Sequence, residues 1–131
     1  MIGLLLVAHA GVARELLAAT EMIVGKLELA EAVAIAHDAS AGDVMTSIKE
    51  AVGRVSGDGA IIMTDMFGGT PSNMSISFLK EGAVEVLTGV NLPMLIRFTQ
   101  ERDRCSVPEL ALKLKESARE GITVAGDFLK K

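Results

Sequence analysis

Apolar residues along the chain follow two alternating patterns. Short continuous apolar runs, typical of strands buried on both faces, predict strands over residues 2–8, 32–36, 61–63 and 84–87. Longer stretches with an apolar residue at every third or fourth position predict helices over residues 12–24, 44–55, 71–79, 93–101 and 107–119. Strands that alternate with helices at this spacing favour a three-layer, doubly wound α/β fold with a mostly parallel sheet. The chain has no internal repeat or linker, so the sequence predicts one domain over residues 1–131.

Local signals mark several of the predicted helix ends. Gly25 is expected to stop the first helix, and Ser40 with Asp43 three residues later resembles a capping box before the second. Thr70 is a suitable N-cap, with Pro71 in the first helical position, where the missing N–H of proline needs no partner. Residues 122–125 fit either a last edge strand or further helix, and the pattern does not decide between them.

The composition narrows the range of functions. Half of the residues are hydrophobic, with no Trp or Tyr and only four Phe, so the core must be aliphatic. The net charge of −4 argues against a nucleic-acid partner. The single cysteine, Cys105, excludes an internal disulfide and fits a reducing cytoplasm. The apolar start of the chain is too short to span a membrane and lacks the basic leader of a signal peptide, so we expect a cytoplasmic protein.

Polar or glycine-rich turns follow three of the predicted strands. His9 comes after the first strand, Asp65 with Gly68 and Gly69 after the third, and the turn over residues 89–93 after the fourth. Because the carboxyl ends of parallel strands meet at one edge of a sheet, we expect these turns to lie together where such folds bind ligands. The helix start that follows Asp65, with its free backbone N–H groups, could hold an anion there.

His9 and Asp65 are the candidate catalytic pair. A carboxylate can keep one ring nitrogen of an imidazole protonated and leave the other as a nucleophile, and a neutral imidazole nitrogen is a suitable acceptor for a phosphoryl group. The starts of the helices after Gly11 and after Thr70 could then stabilise the phosphoryl charge. The ordinary interpretations, a histidine bonded to a backbone carbonyl and an aspartate in a turn, stay open at this point.

Other chemistries have less support. His37 follows the second strand beside Asp38 in a polar turn and is a weaker functional candidate. A metal site built from His9, His37 and Asp65 would have none of the short ligand spacings of known metal motifs. The sequence contains neither a GxxxxGK[ST] loop nor a GxGxxG turn, so we expect no nucleotide, no other cofactor and no metal.

Four segments of the chain together match the pattern of a known family. They are the apolar first strand ending in His9, the helix end EMIVG over residues 21–25, the segment TDMFGGTPSN over residues 64–73, and the segment GVNLPM over residues 89–94. The chain resembles the enzyme IIA domain of the mannose/fructose/sorbose class of the bacterial sugar phosphotransferase system. The resemblance covers residues 1 to about 125, and its second and third segments together are specific.

The resemblance implies a role for each candidate site residue. His9 would be phosphorylated by the phosphocarrier protein HPr and would pass the group to a IIB component, which we expect to be a separate protein. Asp65 would orient the imidazole. The residues that would line the phosphate pocket are Gly68, Gly69, Thr70 and Ser72, together with the backbone at Gly11. Those that would form the neighbouring wall are Phe67, Asn91 and Pro93.

The resemblance also implies a quaternary structure for the protein. Members of this family are homodimers that exchange an antiparallel edge strand, which would here be residues 122–125. They contact the membrane only indirectly, through the sugar permease.

Three alternative functions stay open. One alternative is the related phosphotransferase subunit that serves dihydroxyacetone kinase. Two others come from different classes: a non-enzymatic α/β domain that senses an anionic metabolite, and a metal-dependent hydrolase.

Overall fold

Strands and helices alternate along most of the chain in the computed structural model, which describes residues 1–130. In chain order the elements are β1 (Gly3–His9), α1 (Val12–Val24), β2 (Ala30–Ile35), α2 (Ala41–Val55), β3 (Ala60–Thr64), α3 (Thr70–Ile76), β4 (Val84–Thr88), α4 (Leu92–Glu101), α5 (Val107–Glu120) and α6 (Ala125–Leu129). The predicted order of elements from β1 to α5 is confirmed, and most of their ends lie within three residues of the predicted positions.

The four strands form one parallel sheet in the order β2-β1-β3-β4. Val7 of β1 lies opposite Val33 of β2 on one side and Thr64 of β3 on the other. The chain therefore runs outward from β1 to β2 and then returns to add β3 and β4 on the opposite side of β1. This reversal makes the carboxyl ends of β1 and β3 the switch point of the sheet, the usual position of a ligand site in such folds.

The sheet is covered by helices on both faces, which explains why its central strands are continuously apolar. Side chains of β1 alternate between the two faces: Leu4 and Leu6 pack with α1, α4 and α5, whereas Leu5 and Val7 pack with the face covered by α2 and α3. All four of these leucine and valine side chains are fully buried. The predicted three-layer α/β architecture is thus confirmed. No helix within residues 1–130 is both long enough and apolar enough to cross a membrane.

Two of the predicted helix signals act as expected. Gly25 follows α1 with a φ of 92°, a conformation that favours glycine and ends the helix. The side chain of Ser40 accepts a hydrogen bond of 3.1 Å from the backbone N–H of Asp43 at the start of α2.

The prediction that Thr70 is an N-cap is wrong. Gly69 takes the capping position of α3 in an extended conformation, and its carbonyl accepts the backbone N–H of Asn73 at 2.9 Å. Thr70 is consequently the first helical residue, Pro71 the second, and the hydroxyl of Thr70 is not used as a cap. The reason is that glycine satisfies the capping geometry one residue earlier, so the helix begins at the threonine itself.

The expected antiparallel edge strand is not found in the single chain. Residues 122–124 pair with no strand, and α6 begins at Ala125, so the sheet formed by residues 1–130 is entirely parallel. A strand needs a neighbour that supplies its hydrogen bonds. A segment exchanged between subunits would meet that neighbour only in a dimer.

Arg102 lies inside the protein, although the segment around it reads as a polar loop in the sequence. Its side chain is only 4% exposed, and its guanidinium donates to the carbonyl of Ile2 at 2.7 and 3.0 Å and to that of Leu29 at 3.4 Å. The guanidinium also lies over the ring of Phe98, 4.8 Å from its centroid. Burial lowers the pKa of Arg102, with a partial opposing effect of the charges on Asp103 and Glu28. Arg102 thus joins the end of α4 to the beginnings of β1 and β2.

Candidate functional site

His9 and Asp65 meet at the switch point of the sheet. His9 is the last residue of β1, and Asp65 directly follows β3, the neighbouring strand. Oδ2 of Asp65 accepts two hydrogen bonds from His9, one from ring Nδ1 at 2.7 Å and one from the backbone N–H at 2.9 Å. Oδ1 of Asp65 accepts the backbone N–H of Met66 at 3.0 Å. The carboxylate is therefore held from both sides, and it fixes the imidazole ring in one orientation.

The environment of Asp65 favours its ionised form. Burial raises the pKa of Asp65, since its side chain is only 18% exposed, but hydrogen bonds from the backbone and the ring of His9, the charge of a protonated His9, and the N–H of Met66 outweigh this effect. The resulting pKa of Asp65 lies below its ordinary value. An ionised carboxylate only accepts hydrogen bonds. Nδ1 of His9 must therefore carry a proton in this contact, so in the neutral imidazole Nε2 is the free ring nitrogen.

The backbone after His9 is strained at a residue that the sequence analysis did not single out. Ala10 has a φ of 48°, in the left-handed region that costs a residue with a Cβ about 1 kcal/mol. Gly11, the next residue, has an ordinary φ of −89° at the start of α1. The strain therefore lies at the residue that directly follows the candidate nucleophile.

The two glycines after Asp65 meet different requirements. Gly68 has a φ of 91°, and a Cβ built on it would meet nothing within 4 Å. Glycine is therefore favoured at this position by the backbone conformation and not by lack of space. Gly69 has an ordinary φ of −88°, but its Cβ would lie 3.0 Å from Cε1 and 3.4 Å from Nε2 of His9. The backbone of Gly69 thus lies directly against the ring edge that bears the free nitrogen. Thr70 follows on the exposed side of this loop.

Ser72 and Asn73 support this loop from α3. Ser72 is fully buried, and its hydroxyl accepts the backbone N–H of Gly68 at 3.2 Å. The side chain of Asn73 donates to the carbonyl of Gly68 at 3.4 Å. Ser72 was predicted to line the phosphate pocket, and the structure places its hydroxyl in contact with the loop backbone. The role of Asn73 was missed, although a polar side chain directly after Ser72 was visible in the sequence.

The remaining predicted wall residues lie in two places. Phe67 is 73% exposed, next to Met66, which is 55% exposed, at the outer side of the loop. Asn91 caps α4 by accepting the N–H of Met94 at 3.0 Å, and its amide donates to the carbonyl of Ala118 at 3.0 Å. Pro93 packs against Gly121 at the end of α5, where a Cβ would come within 2.5 Å of its ring. These contacts of Asn91 and Pro93 join α4 to α5, and Asn91 makes no hydrogen bond to His9 or Asp65 within residues 1–130.

His37 does not join the pair at the switch point. It lies in the exposed turn after β2, and within residues 1–130 no three His, Cys, Asp or Glu side chains come together as metal ligands. His9 itself is 48% exposed. The arrangement therefore offers one oriented and accessible imidazole nitrogen beside a close backbone loop, which is suited to forming a bond with an electrophilic group brought by another molecule.

Comparison with known proteins gives a consistent result. A family model described as PTS system fructose IIA component matches residues 3–115. The chain is 31% identical over 117 residues to the PTS system sorbose-specific EIIA component of Lacticaseibacillus casei, which covers 86% of this chain and 85% of that protein.

Solved structures agree over nearly the whole length. Phosphotransferase system component EIIA from Streptococcus agalactiae matches with a TM-score of 0.88 at 28% identity, covering 97% of this chain and 99% of that one. The mannose/sorbose specific IIA subunit from Enterococcus faecalis matches with a TM-score of 0.81 at 27% identity, covering 94% of this chain and 93% of the other.

Proposed function

The chain belongs to the family of PTS fructose IIA components, which are phosphoryl carriers of the sugar phosphotransferase system, and from this premise we propose that His9 carries the phosphoryl group. The observation that carries the proposal is the 2.7 Å contact between Nδ1 of His9 and Asp65. With Nδ1 protonated and bound, Nε2 is the ring nitrogen with a free electron pair. We therefore assign the phosphoryl group to Nε2.

The transfer step moves a phosphoryl group between proteins. The electron pair of Nε2 forms a bond to phosphorus while the bond from phosphorus to the donor atom of phospho-HPr breaks and its electron pair leaves with HPr. The proton on Nδ1 stays in place. The ring gains positive charge as the new bond forms, and the carboxylate of Asp65 stabilises that charge. Transfer to a IIB component breaks the same bond and returns the electron pair to Nε2, in support of sugar uptake or its regulation.

The phosphoryl group would occupy the space in front of Nε2. Gly69 lies against the ring edge beside this space, the exposed Thr70 directly follows it, and the start of α1 at Gly11 follows His9 on the same edge of the sheet. Gly68 shapes the loop through its positive φ. Phe67 would contact a partner protein, and the start of α4 at Asn91 and Pro93 would form the neighbouring wall.

The same family relationship underlies a proposed homodimer with an exchanged strand. Four large apolar side chains between residues 122 and 129 are at least 68% exposed, more than a segment of a lone domain normally leaves in water. β4 is an edge strand with one open side. Pairing of residues 122–125 with β4 of a partner would close the open side of β4 and bring Ile122 and Val124 into the subunit interface. Light scattering of the full chain should give a dimer mass, and a monomer mass at micromolar concentration would contradict the exchange.

The carrier role can be tested by intact mass after incubation with phosphoenolpyruvate, enzyme I and HPr. Wild type should gain one phosphoryl group that is lost in mild acid, and His9→Ala should gain none. His37→Ala is the matched control, since His37 is the other histidine of the chain and should not affect labelling. Labelling of His9→Ala, or no labelling of wild type with partners that phosphorylate a known IIA domain, would contradict the proposal.

A further inference from the structure

Side chains of the following helix hold the loop between β3 and α3 through the backbone of one residue, Gly68. Met66, Phe67 and Gly68 are exposed, so packing contributes little to fixing the loop. The N–H of Gly68 donates to the hydroxyl of Ser72 at 3.2 Å, and its carbonyl accepts from the side chain of Asn73 at 3.4 Å. Both backbone groups of Gly68 are therefore bound by side chains of the following helix.

The position of the Gly68 backbone determines what lies beside the ring of His9. Gly69 is the next residue, and its Cα lies so close to His9 that an added Cβ would be 3.0 Å from Cε1. The positive φ of Gly68 turns the chain into this position, and an unrestrained glycine visits many other conformations. The carbonyl of Gly69 is held by the backbone N–H of Asn73 at 2.9 Å, so the side chains of Ser72 and Asn73 fix the other side of Gly69, where the chain enters it from Gly68.

We propose that Ser72, assisted by Asn73, is a positioning residue for phosphoryl transfer, which holds the backbone of Gly68 so that Gly69 stays against the Nε2 edge of His9. This inference rests on the proposed function of His9. Ser72 acts through the loop and does not touch the phosphoryl group. Its hydroxyl is fully buried, and the loop backbone is the group that faces the ring.

A matched control exists in the same helix. Ser75 lies one turn after Ser72 and is also fully buried, but its hydroxyl has no hydrogen-bond partner within residues 1–130. Ser72→Ala and Ser75→Ala therefore remove the same atom from equally buried positions of α3. The first releases the N–H of Gly68, and the second releases nothing.

The experiment compares wild type, Ser72→Ala and Ser75→Ala in two measurements. The first is the rate of phosphorylation by phospho-HPr over a range of donor concentrations. Ser72→Ala should lower the maximal rate about tenfold and leave the half-saturating concentration nearly unchanged, because small displacements at a reacting atom are costly. Ser75→Ala should match wild type. The second is amide hydrogen exchange, in which the N–H of Gly68 should exchange faster in Ser72→Ala alone.

The outcomes separate this inference from the proposed function. If wild type and Ser75→Ala are not phosphorylated, the carrier function itself fails and the role in transfer fails with it. If all three proteins are phosphorylated at equal maximal rates, the positioning role of Ser72 is wrong while the carrier function stands. Should Ser72→Ala not fold, Asn73→Ala provides the test, since Asn73 is exposed and its side chain bonds only the carbonyl of Gly68. A wild-type rate in that variant would then overturn the inference.

Discussion

Oδ2 of Asp65 accepts both the ring Nδ1–H and the backbone N–H of His9, at 2.7 and 2.9 Å. The backbone contact places the carboxylate relative to the strand, and the ring contact places the imidazole relative to the carboxylate. Because one oxygen atom accepts both bonds, the relative position of the two neighbouring strands determines the direction in which Nε2 points. Such an arrangement reduces the freedom that the side chain of His9 must lose before it reacts.

The first prediction concerns the charge of Asp65. Asp65→Asn should fold, because an amide oxygen still accepts a hydrogen bond, but it should lower the rate of phosphorylation about 100-fold, since the neutral amide does not stabilise positive charge on the ring. Rapid-quench kinetics with phospho-HPr would measure this. Asp38→Asn in the turn beside His37 is the control. A wild-type rate in Asp65→Asn would show that the carboxylate has only a structural role.

The second prediction concerns stability at low pH. The pKa of Asp65 is lower in the folded protein than in the unfolded chain, where it is about 3.9. The unfolded state therefore binds the proton first, so the contribution of Asp65 to stability is complete above that value and is lost as the pH falls through the folded pKa. The free energy of unfolding should fall less steeply between about pH 5 and pH 2 in Asp65→Asn than in wild type. Identical slopes in urea titrations would contradict this.

The third prediction separates the two glycines of the loop. Gly68→Ala should lower the free energy of unfolding by about 1–2 kcal/mol, because its φ of 91° is unfavourable for a residue with a Cβ. Gly69→Ala has an allowed backbone conformation but pushes on the ring of His9, so it should slow phosphorylation about tenfold with little loss of stability. Urea unfolding and phosphorylation rates of both variants provide the check. Equal effects of the two substitutions on stability would show that the distinction is wrong.

The fourth prediction concerns Arg102, which is remote from the site. Arg102→Ala removes the donor to the carbonyls of Ile2 and Leu29 and leaves a cavity beside Phe98. The free energy of unfolding should fall by about 3 kcal/mol, a value typical of losing a buried network. Arg104→Ala is the control, since Arg104 is exposed and should change stability by less than about 0.5 kcal/mol. A similar small effect of both substitutions would contradict the assigned role of Arg102.

The sequence by itself determined the order of elements, the fold class and the helix α1. The apolar runs of β1 and β3 mark strands that are buried on both faces, and the Gly25 and Ser40 signals act within a few residues of the helix ends that they specify. Such features depend on local backbone preferences and on burial, so they can be read from short windows of sequence. The motif residues around His9 and Asp65 likewise identified the family before any distance was known.

Only the tertiary structure decided how distant residues meet. The strand order brings His9 to Asp65 across 56 residues and leaves His37 outside the pair. It also buries Arg102, whose acceptor on Ile2 is 100 residues away. These outcomes result from competition among contacts that are far apart in sequence, and local propensity contains no information about which contact prevails. The strain at Ala10 belongs to the same class, because its backbone N–H is bound at 3.0 Å by the carbonyl of Ile35, which lies 25 residues further along the chain.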